Sequence, residues 1–182
     1  MKRLFFVLIL TSFVLISAAA QNASQNAAEV SFSFVRKSGS ASNQYAIWIE
    51  DSQGRYVKTV YATRWTANGG WSRRPTSIPL WVRVSNLSSK TRAQIDAVSA
   101  ATPRTGTLTY TWDGTDSQGV PVPAGIYTLF LEGTLRWENQ VLYRTPIRLG
   151  QGPVTVNLNG VYTGEPGTDR DMIGNVTVRT LR

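Results

Sequence analysis

The chain has 182 residues, a formal net charge of +8 at pH 7, no cysteine and no histidine. These absences exclude disulfide bonds, Ser-His-Asp and Cys-His catalysis, and zinc sites that use His or Cys ligands. The eleven acidic residues lie mostly at predicted turns, where a carboxylate usually accepts backbone hydrogen bonds, so we expect no enzymatic activity.

The N-terminus has the pattern of a secretory signal. Met1-Lys2-Arg3 is followed by a mainly apolar run at residues 4–16 and by small residues up to Ala20. A basic start, a short apolar run and small residues before the cleavage point are typical of a signal peptide, which we assign to residues 1–20. The apolar run is short for a membrane span. We therefore expect cleavage and export to the periplasm or beyond, with an uncleaved membrane anchor as the alternative.

The start of the mature chain predicts a short lead followed by strands. Residues 21–28 contain Asn, Gln, Ser and Ala without periodicity, which indicates a disordered lead, and residues 29–182 are predicted to form a single domain. Three strands are predicted by alternating side chains, namely Val30, Phe32 and Phe34, then Tyr45, Ile47 and Ile49, then Val57, Thr59 and Tyr61. Residues 50–54 predict the hairpin turn that joins the second and third strands.

A long insertion without a clear strand pattern follows at residues 63–105. Residues 77–84 fit either a short helix with Pro79 in its first turn or a strand, and residues 90–95 predict a helical turn. Residues 62–104, the cationic segment, hold seven basic residues against one acid, Asp96, so the excess positive charge of the mature chain lies here. A long irregular insertion of this kind is where a functional surface is expected.

The second half of the domain returns to strands. Residues 107–112 predict a strand, residues 113–119 and 123–125 two turns, and residues 126–131 a more deeply buried strand. A turn at residues 132–134 and a strand at residues 136–144 follow, and short strands continue to Val178. Eight or nine short strands joined by Gly, Pro and Asx turns predict an all-β fold, an antiparallel β-sandwich with one long irregular insertion and a short helix at most.

The corner between the strands at residues 107–112 and 126–131 resembles a known signature. It consists of Tyr110-x-Trp112-Asp113-Gly114, then Asp116, Gly119, residues 122–125 and Tyr127. This pattern is similar to the Ig-like domain of flagellar hook-capping, FlgD-type proteins. The resemblance implies an Ig-like sandwich and, as one alternative function, a hook-capping-like structural role. We expect Trp112 and Tyr127 to be core residues rather than ligand contacts.

Extended upstream, the chain resembles a second family. Trp81, residues 96–99 and Thr102-Pro103 match predicted periplasmic proteins grouped as domain-of-unknown-function family 2271, over roughly residue 30 to the end. This resemblance implies a small secreted β-protein without indicating an activity. Sandwiches of this type host many roles, so function has to be argued from particular residues.

One turn has oxygen atoms that could bind calcium. Asp113, Thr115 and Asp116 supply such oxygens, but their spacing does not match the known calcium loops. A hydrogen-bonded turn is the favoured interpretation, and no metal is predicted.

Residues 96–102 suggest a covalent modification. Their sequence, Asp-Ala-Val-Ser-Ala-Ala-Thr, resembles the acceptor pattern on which secreted flavin transferases attach FMN to a Thr hydroxyl through a phosphoester. The resemblance implies that Asp96 is the leading acid, Ser99 the small hydroxyl residue and Thr102 the acceptor, with Ala100 at the position usually occupied by Gly. The protein would then be an extracytoplasmic redox accessory protein. The alternative is a small-residue loop that leads into the next strand.

The cationic segment also contains candidates for contact with an anionic partner. They are Arg73, Arg74 and Arg83, together with Trp71 and Trp81. Arginine makes bidentate contacts with phosphate and carboxylate and stacks on rings, so a protein, an acidic glycan or a flavin phosphate would fit, whereas nucleic acid is not expected for an exported protein. Alternatively, the tryptophans fill the open end of the sandwich. The sequence thus predicts an exported, non-catalytic binding or accessory module.

Overall fold

The computed structural model describes residues 27–39, 41–165, 167 and 169–181. The signal peptide predicted at residues 1–20 lies outside these residues, as does most of the lead predicted at residues 21–28, and the first strand begins at Ala27. The strands are β1 (Ala27–Phe34), β2 (Ala41–Asp51), β3 (Tyr56–Thr63), β4 (Ser99–Ala100), β5 (Gly106–Trp112), β6 (Gly125–Arg136), β7 (Asn139–Leu149), β8 (Thr155–Leu158), β9 (Val161–Thr163) and β10 (Ile173–Leu181).

The ten strands of the described residues form two sheets. One sheet has the order β5-β1-β10-β8 and the other the order β4-β3-β2-β6-β7-β9. Neighbouring strands are antiparallel, except that the short β4 runs parallel to β3. The predicted β-sandwich is confirmed, and the two sheets bury alternating side chains between them, such as Phe32 of β1, Ile47 of β2 and Leu131 of β6.

The insertion is more regular than its sequence suggested. It contains the helices α1 (Trp71–Arg73), α2 (Pro79–Val84) and α3 (Arg92–Val98), and a short 3-10 helix at Leu87–Ser89. The alternative left open at residues 77–84 is therefore a helix, with a proline at its start. None of the helices in the described ranges is long and apolar enough to span a membrane.

These helices cover the outer face of the six-stranded sheet. Trp48 and Phe130 point to this face and stack, with ring centroids 4.9 Å apart and planes 4° apart. Ile78, Trp81 and Leu87 of the insertion bury the pair in a second hydrophobic cluster. The six-stranded sheet is thus buried on both faces, and a single layer of strands supports two cores.

The turn predicted at residues 132–134 is wrong. β6 continues through these residues to Arg136, and the hairpin turn to β7 follows at Trp137, which has a φ of 51°. Gly133 is needed for packing instead, because a Cβ at this position would lie 2.5 Å from Cδ1 of Ile173 in the opposite sheet. Glycine here permits close approach of two sheets and does not mark a turn.

Trp112 and Tyr127 lie in the core at the corner between β5 and β6, as predicted. Trp112 is 1% exposed and Tyr127 6% exposed, and their ring centroids are 5.3 Å apart in an edge-to-face arrangement. The Trp112 indole donates to the Thr115 carbonyl at 2.8 Å, and the Tyr127 hydroxyl donates to the Pro123 carbonyl at 2.8 Å. Each ring thereby fixes one of the two turns of the corner.

The two aspartates of this corner have structural partners. Asp113 Oδ1 accepts from the backbone N–H of Thr115 at 3.1 Å and from Lys58 Nζ at 2.9 Å. Asp116 Oδ1 accepts from the backbone N–H groups of Gln118 and Val120 at 2.8 and 2.9 Å. These contacts account for both carboxylates as turn-forming residues.

Glu132 is a buried carboxyl that joins the sheet to the insertion. Glu132 lies on β6 and is 3% exposed. Its carboxylate oxygens accept from the backbone N–H groups of Leu80 and Trp81 at 3.0 and 2.8 Å. These donors belong to the first turn of α2, where backbone N–H groups lack partners within the helix. Burial raises the pKa of Glu132 from 4.5 to about 7, although the two N–H groups and the charge of Arg83 act in the opposite direction.

We expect this carboxyl to make stability depend on pH. Between pH 4.5 and about 7 the folded protein holds more protons than the unfolded chain, so the free energy of unfolding falls as the pH rises through this window. The loss should total about 3 kcal/mol. Glu132→Gln should flatten the dependence, and urea unfolding of both proteins at about pH 5 and about pH 8 measures it. Equal slopes in the two proteins would assign the pH dependence to other groups.

Candidate functional site

The candidate site lies where β3 ends and the insertion begins. Thr63, the last residue of β3, pairs with Ala100 of β4 in parallel register. Trp65 and Thr102 follow these two residues at the same distance along the chain. The register therefore places the start of the insertion next to the segment with the FMN acceptor pattern.

A buried network of polar side chains supports this region. Gln44 Oε1 accepts from the Thr66 hydroxyl at 3.0 Å, and the hydroxyls of Thr66 and Ser77 share a hydrogen bond of 2.6 Å. Arg74 Nη2 donates to the hydroxyls of Ser42 and Ser77. Because the amide and all three hydroxyls belong to buried residues, the network holds the Arg74 guanidinium in a fixed position.

Arg74 carries a charge that has no counter-ion among the described residues. Its Nε atom is buried without a hydrogen-bond partner in the described part of the chain. The ion pairs among the described residues use other bases, namely Lys37, Arg55, Lys58 and Arg92. Burial lowers the pKa of the Arg74 guanidinium because it disfavours the charged form. A desolvated cation held only by hydroxyls favours the approach of an anion.

An exposed indole lies against this guanidinium. The guanidinium carbon of Arg74 is 5.1 Å from the centroid of the Trp65 ring, within the range of a cation–π contact. Trp65 is 44% exposed. Gly70 lets the indole lie against the backbone, because a Cβ there would be 2.5 Å from Cε3 of Trp65. The result is a flat apolar surface next to a positive charge.

The structure does not bring all of the predicted partner-binding residues together. Arg73 is exposed and adjoins Arg74, and Trp71 is half-buried at the start of the same helix, α1. Arg83 is exposed on α2 and lines a different groove of about 300 Å³ beside Glu132. Trp65 had not been predicted as a site residue, and the signal for it is its position directly after a strand, next to Arg64.

The prediction that Trp81 contacts a partner is wrong. Trp81 is 1% exposed and belongs to the second hydrophobic cluster. Its indole N–H donates to the Thr59 hydroxyl at 2.9 Å, so its polar group is also satisfied internally. Packing of α2 on the sheet explains this tryptophan without a ligand.

The three predicted FMN-site residues differ in exposure. Asp96 is exposed on α3, with Oδ2 3.4 Å from Nε of Arg92. Ser99 is 6% exposed, and its hydroxyl has no hydrogen-bond partner among the described residues. Thr102 is half-buried in the segment that crosses from β4 in one sheet to β5 in the other. The acceptor hydroxyl thus belongs to a surface crossing, whereas Ser99 is buried where β4 pairs with β3.

Ala100, where the pattern usually has glycine, tolerates a side chain here. It is exposed, pairs with Thr63, and is not among the described residues that have a positive φ. The Tyr61 hydroxyl donates to the carbonyls of Ala100 and Ala101 at 3.4 and 3.1 Å, which holds the backbone in place. Position 100 therefore has no conformational need for glycine.

Stacked tyrosines support the same crossing segment from the core. The hydroxyls of Tyr45 and Tyr110 are 2.6 Å apart, and the ring of Tyr61 lies 4.5 Å from that of Tyr110 and 5.1 Å from that of Tyr45. Burial raises the pKa of all three phenols, so they are neutral at physiological pH. The segment with Thr102 is thus held on a rigid aromatic base.

The described residues contain no cluster of three or more His, Cys, Asp or Glu that could bind a metal ion. The predicted periplasmic protein family DUF2271 matches residues 25–163. No curated protein and no solved structure matches the chain. The family match covers β1 to β9 and the whole insertion, including the Trp65–Arg74 surface and the crossing segment with Thr102. The chain belongs to the DUF2271 family of predicted periplasmic proteins.

Proposed function

We propose that this protein is an exported, non-catalytic accessory module that binds an anionic group at Trp65, Arg73 and Arg74. The observation that carries this proposal is the Arg74 guanidinium, which is partly desolvated, fixed by hydroxyl groups and stacked on an exposed indole. A rigid cation beside an aromatic face suits a ligand with a phosphate, sulfate or carboxylate group and a flat or apolar body.

Export is supported by two independent features. The N-terminal sequence has the pattern of a signal peptide, and the family is described as predicted periplasmic. A non-catalytic role is supported by the carboxylates, because Asp113 and Asp116 form turns and Glu132 caps a helix. An acid with such a structural role is not available for proton transfer to a substrate.

Free FMN provides a test, because it combines a phosphate with a flat ring. We expect weak, salt-sensitive binding of FMN that riboflavin, which lacks the phosphate, does not reproduce. Arg73→Gln should weaken FMN binding by about tenfold, the effect of one charge-assisted hydrogen bond, as measured by titration calorimetry. Arg144→Gln is the matched control, since Arg144 is exposed on β7 and lies outside the insertion. Equal losses of FMN affinity in the two variants would show that binding depends only on the net charge of the protein.

The second candidate function is that of a redox accessory protein that carries FMN covalently on Thr102. The observation that favours it is the extended, supported backbone of the crossing segment, which presents a partly exposed threonine and has no need for glycine at position 100. In this form, the flavin would be attached to the segment that follows β4, which pairs with the end of β3 two residues before Trp65. The two candidates differ in whether the ligand is attached covalently.

The resemblance to hook-capping proteins concerns the fold of one corner. As part of the proposal, the corner from Tyr110 to Tyr127 is an Ig-like corner of the FlgD type. Support comes from Trp112 and Tyr127, which are buried and bind the carbonyls of the two turns. Because core packing and turns account for these residues, the signature does not favour a flagellar role.

A further inference from the structure

A cavity lies between β3 and the helices of the insertion. Its volume is about 320 Å³, and it is enclosed by β3 on one side and by α2, the 3-10 helix and α3 on the other. Its apolar walls are Tyr56, Trp81, Leu87, Ile95 and Val98. This size is at the lower end of the range for small-molecule sites, and mainly apolar walls with few polar groups are typical of such sites.

Two small residues of α3 border the cavity. Ala93 and Ala97 both line it and lie one helical turn apart, on one face of α3. Both residues are exposed, so their methyl groups border the opening rather than a closed core. The space is therefore open to solvent and accessible to a ligand.

The charged side chains that line the cavity in the described part of the chain are two lysines. Lys58 and Lys90 line the cavity, and its lining among the described residues includes no acid. Lys58 is neutralised by Asp113, whose carboxylate lies 2.9 Å from its ammonium group. Lys90 has no carboxylate partner in the described part of the chain, and its ammonium lies 5.5 Å from the centroid of the Tyr56 ring. Among the described lining residues, Lys90 is thus a cation without a carboxylate partner beside an aromatic wall.

The polar groups at the floor are already satisfied. The Thr59 hydroxyl accepts from the Trp81 indole at 2.9 Å and shares a hydrogen bond of 2.7 Å with the Tyr56 hydroxyl. A ligand therefore finds an apolar floor, and of the two lysines among the described lining residues, Lys90 is the one without a paired carboxylate. We propose that this cavity binds a small aromatic or aliphatic monoanion, with its apolar body against Tyr56, Ile95 and Val98 and its anionic group at Lys90.

The test compares two probes of the same shape, 2-naphthoate and the neutral 2-naphthamide, by titration calorimetry on the mature protein. We expect saturable binding of 2-naphthoate that is about tenfold tighter than that of the amide. Lys90→Gln should remove this preference and leave the affinity for the amide unchanged. Arg92→Gln is the control, since this substitution also removes a positive charge, but at a residue that is not part of the cavity lining.

A second variant tests the location of the apolar part. Ala97→Leu places a larger side chain at the opening and should weaken both probes at least about tenfold, because the methylenes occupy the space of the ligand. Its melting temperature should be close to that of the unmodified protein, since Ala97 is exposed. Absence of saturable binding, equal affinity for the two probes, or the same loss in Arg92→Gln as in Lys90→Gln would overturn the proposal.

Discussion

Trp112→Ala is expected to lower the free energy of unfolding by about 3–5 kcal/mol, the usual cost of emptying a packed aromatic site. Trp112 is 1% exposed, packs edge-to-face against Tyr127 and donates its indole N–H to Thr115. Its removal would leave a cavity between the sheets and free the turn that follows β5. Urea unfolding monitored by circular dichroism measures the loss.

Trp137→Ala serves as the matched control for this prediction. Trp137 is 57% exposed in the turn between β6 and β7, so the same substitution there should change stability by about 0.5 kcal/mol or less. Equal unfolding midpoints for Trp112→Ala and Trp137→Ala would contradict the role of Trp112 as a core residue.

Thr102→Ala should abolish the covalent attachment of FMN completely, because the phosphoester requires the threonine oxygen. Under the second candidate function, co-expression with a flavin transferase in the export compartment adds one FMN, seen as yellow colour and as an increase in intact mass. The variant should show neither, while its fold is kept, since Thr102 is half-buried in a crossing segment.

Thr107→Ala provides the control for modification. Thr107 is an exposed threonine at the start of β5, and its substitution should leave the added mass unchanged. An unmodified mass for the original protein after co-expression would leave the non-covalent module as the function. Added mass that persists in Thr102→Ala would place the attachment on another residue.

The sandwich could be predicted because alternation along a strand reports which face is buried. Val30, Phe32 and Phe34 alternate with serines, and each of the three is 1% exposed in the core. The corner was predictable for a similar reason, since its Asp, Gly and Pro residues have strong turn preferences. In both cases, local chemistry and the final structure agree.

The second core could not be predicted from local patterns. Trp48 lies on the outer face of β2, which would be solvent-exposed in a simple sandwich, and only the distant insertion explains its burial. Trp81 was misassigned for the same reason, because an isolated tryptophan in a basic segment fits a binding surface and a core equally well. Apolar residues on both faces of β2, Ala46 and Trp48 opposite Tyr45 and Ile47, were the available signal.

The candidate site was predicted in part. Its location in the cationic segment and the residues Arg73 and Arg74 followed from charge counting, but charge counting does not distinguish Arg74 from Arg83. The difference is tertiary, since Arg74 is fixed by Ser42 and Ser77, whereas Arg83 lies beside the carboxyl of Glu132. Hydroxyl networks of this kind join residues far apart in sequence and leave no local pattern.

A nuclear magnetic resonance titration with FMN tests directly whether Trp65 and Arg74 together bind an anion. The side-chain N–H signals of tryptophan and arginine would be followed as FMN is added, with riboflavin as the reference. We expect saturable, phosphate-dependent shifts of the Trp65 indole and the Arg74 Nε–H. The indole of Trp48, which is 0% exposed and donates to Glu50, should not move. Shifts that fail to saturate, that riboflavin reproduces, or that spread evenly over exposed arginines such as Arg144 and Arg148 would contradict it.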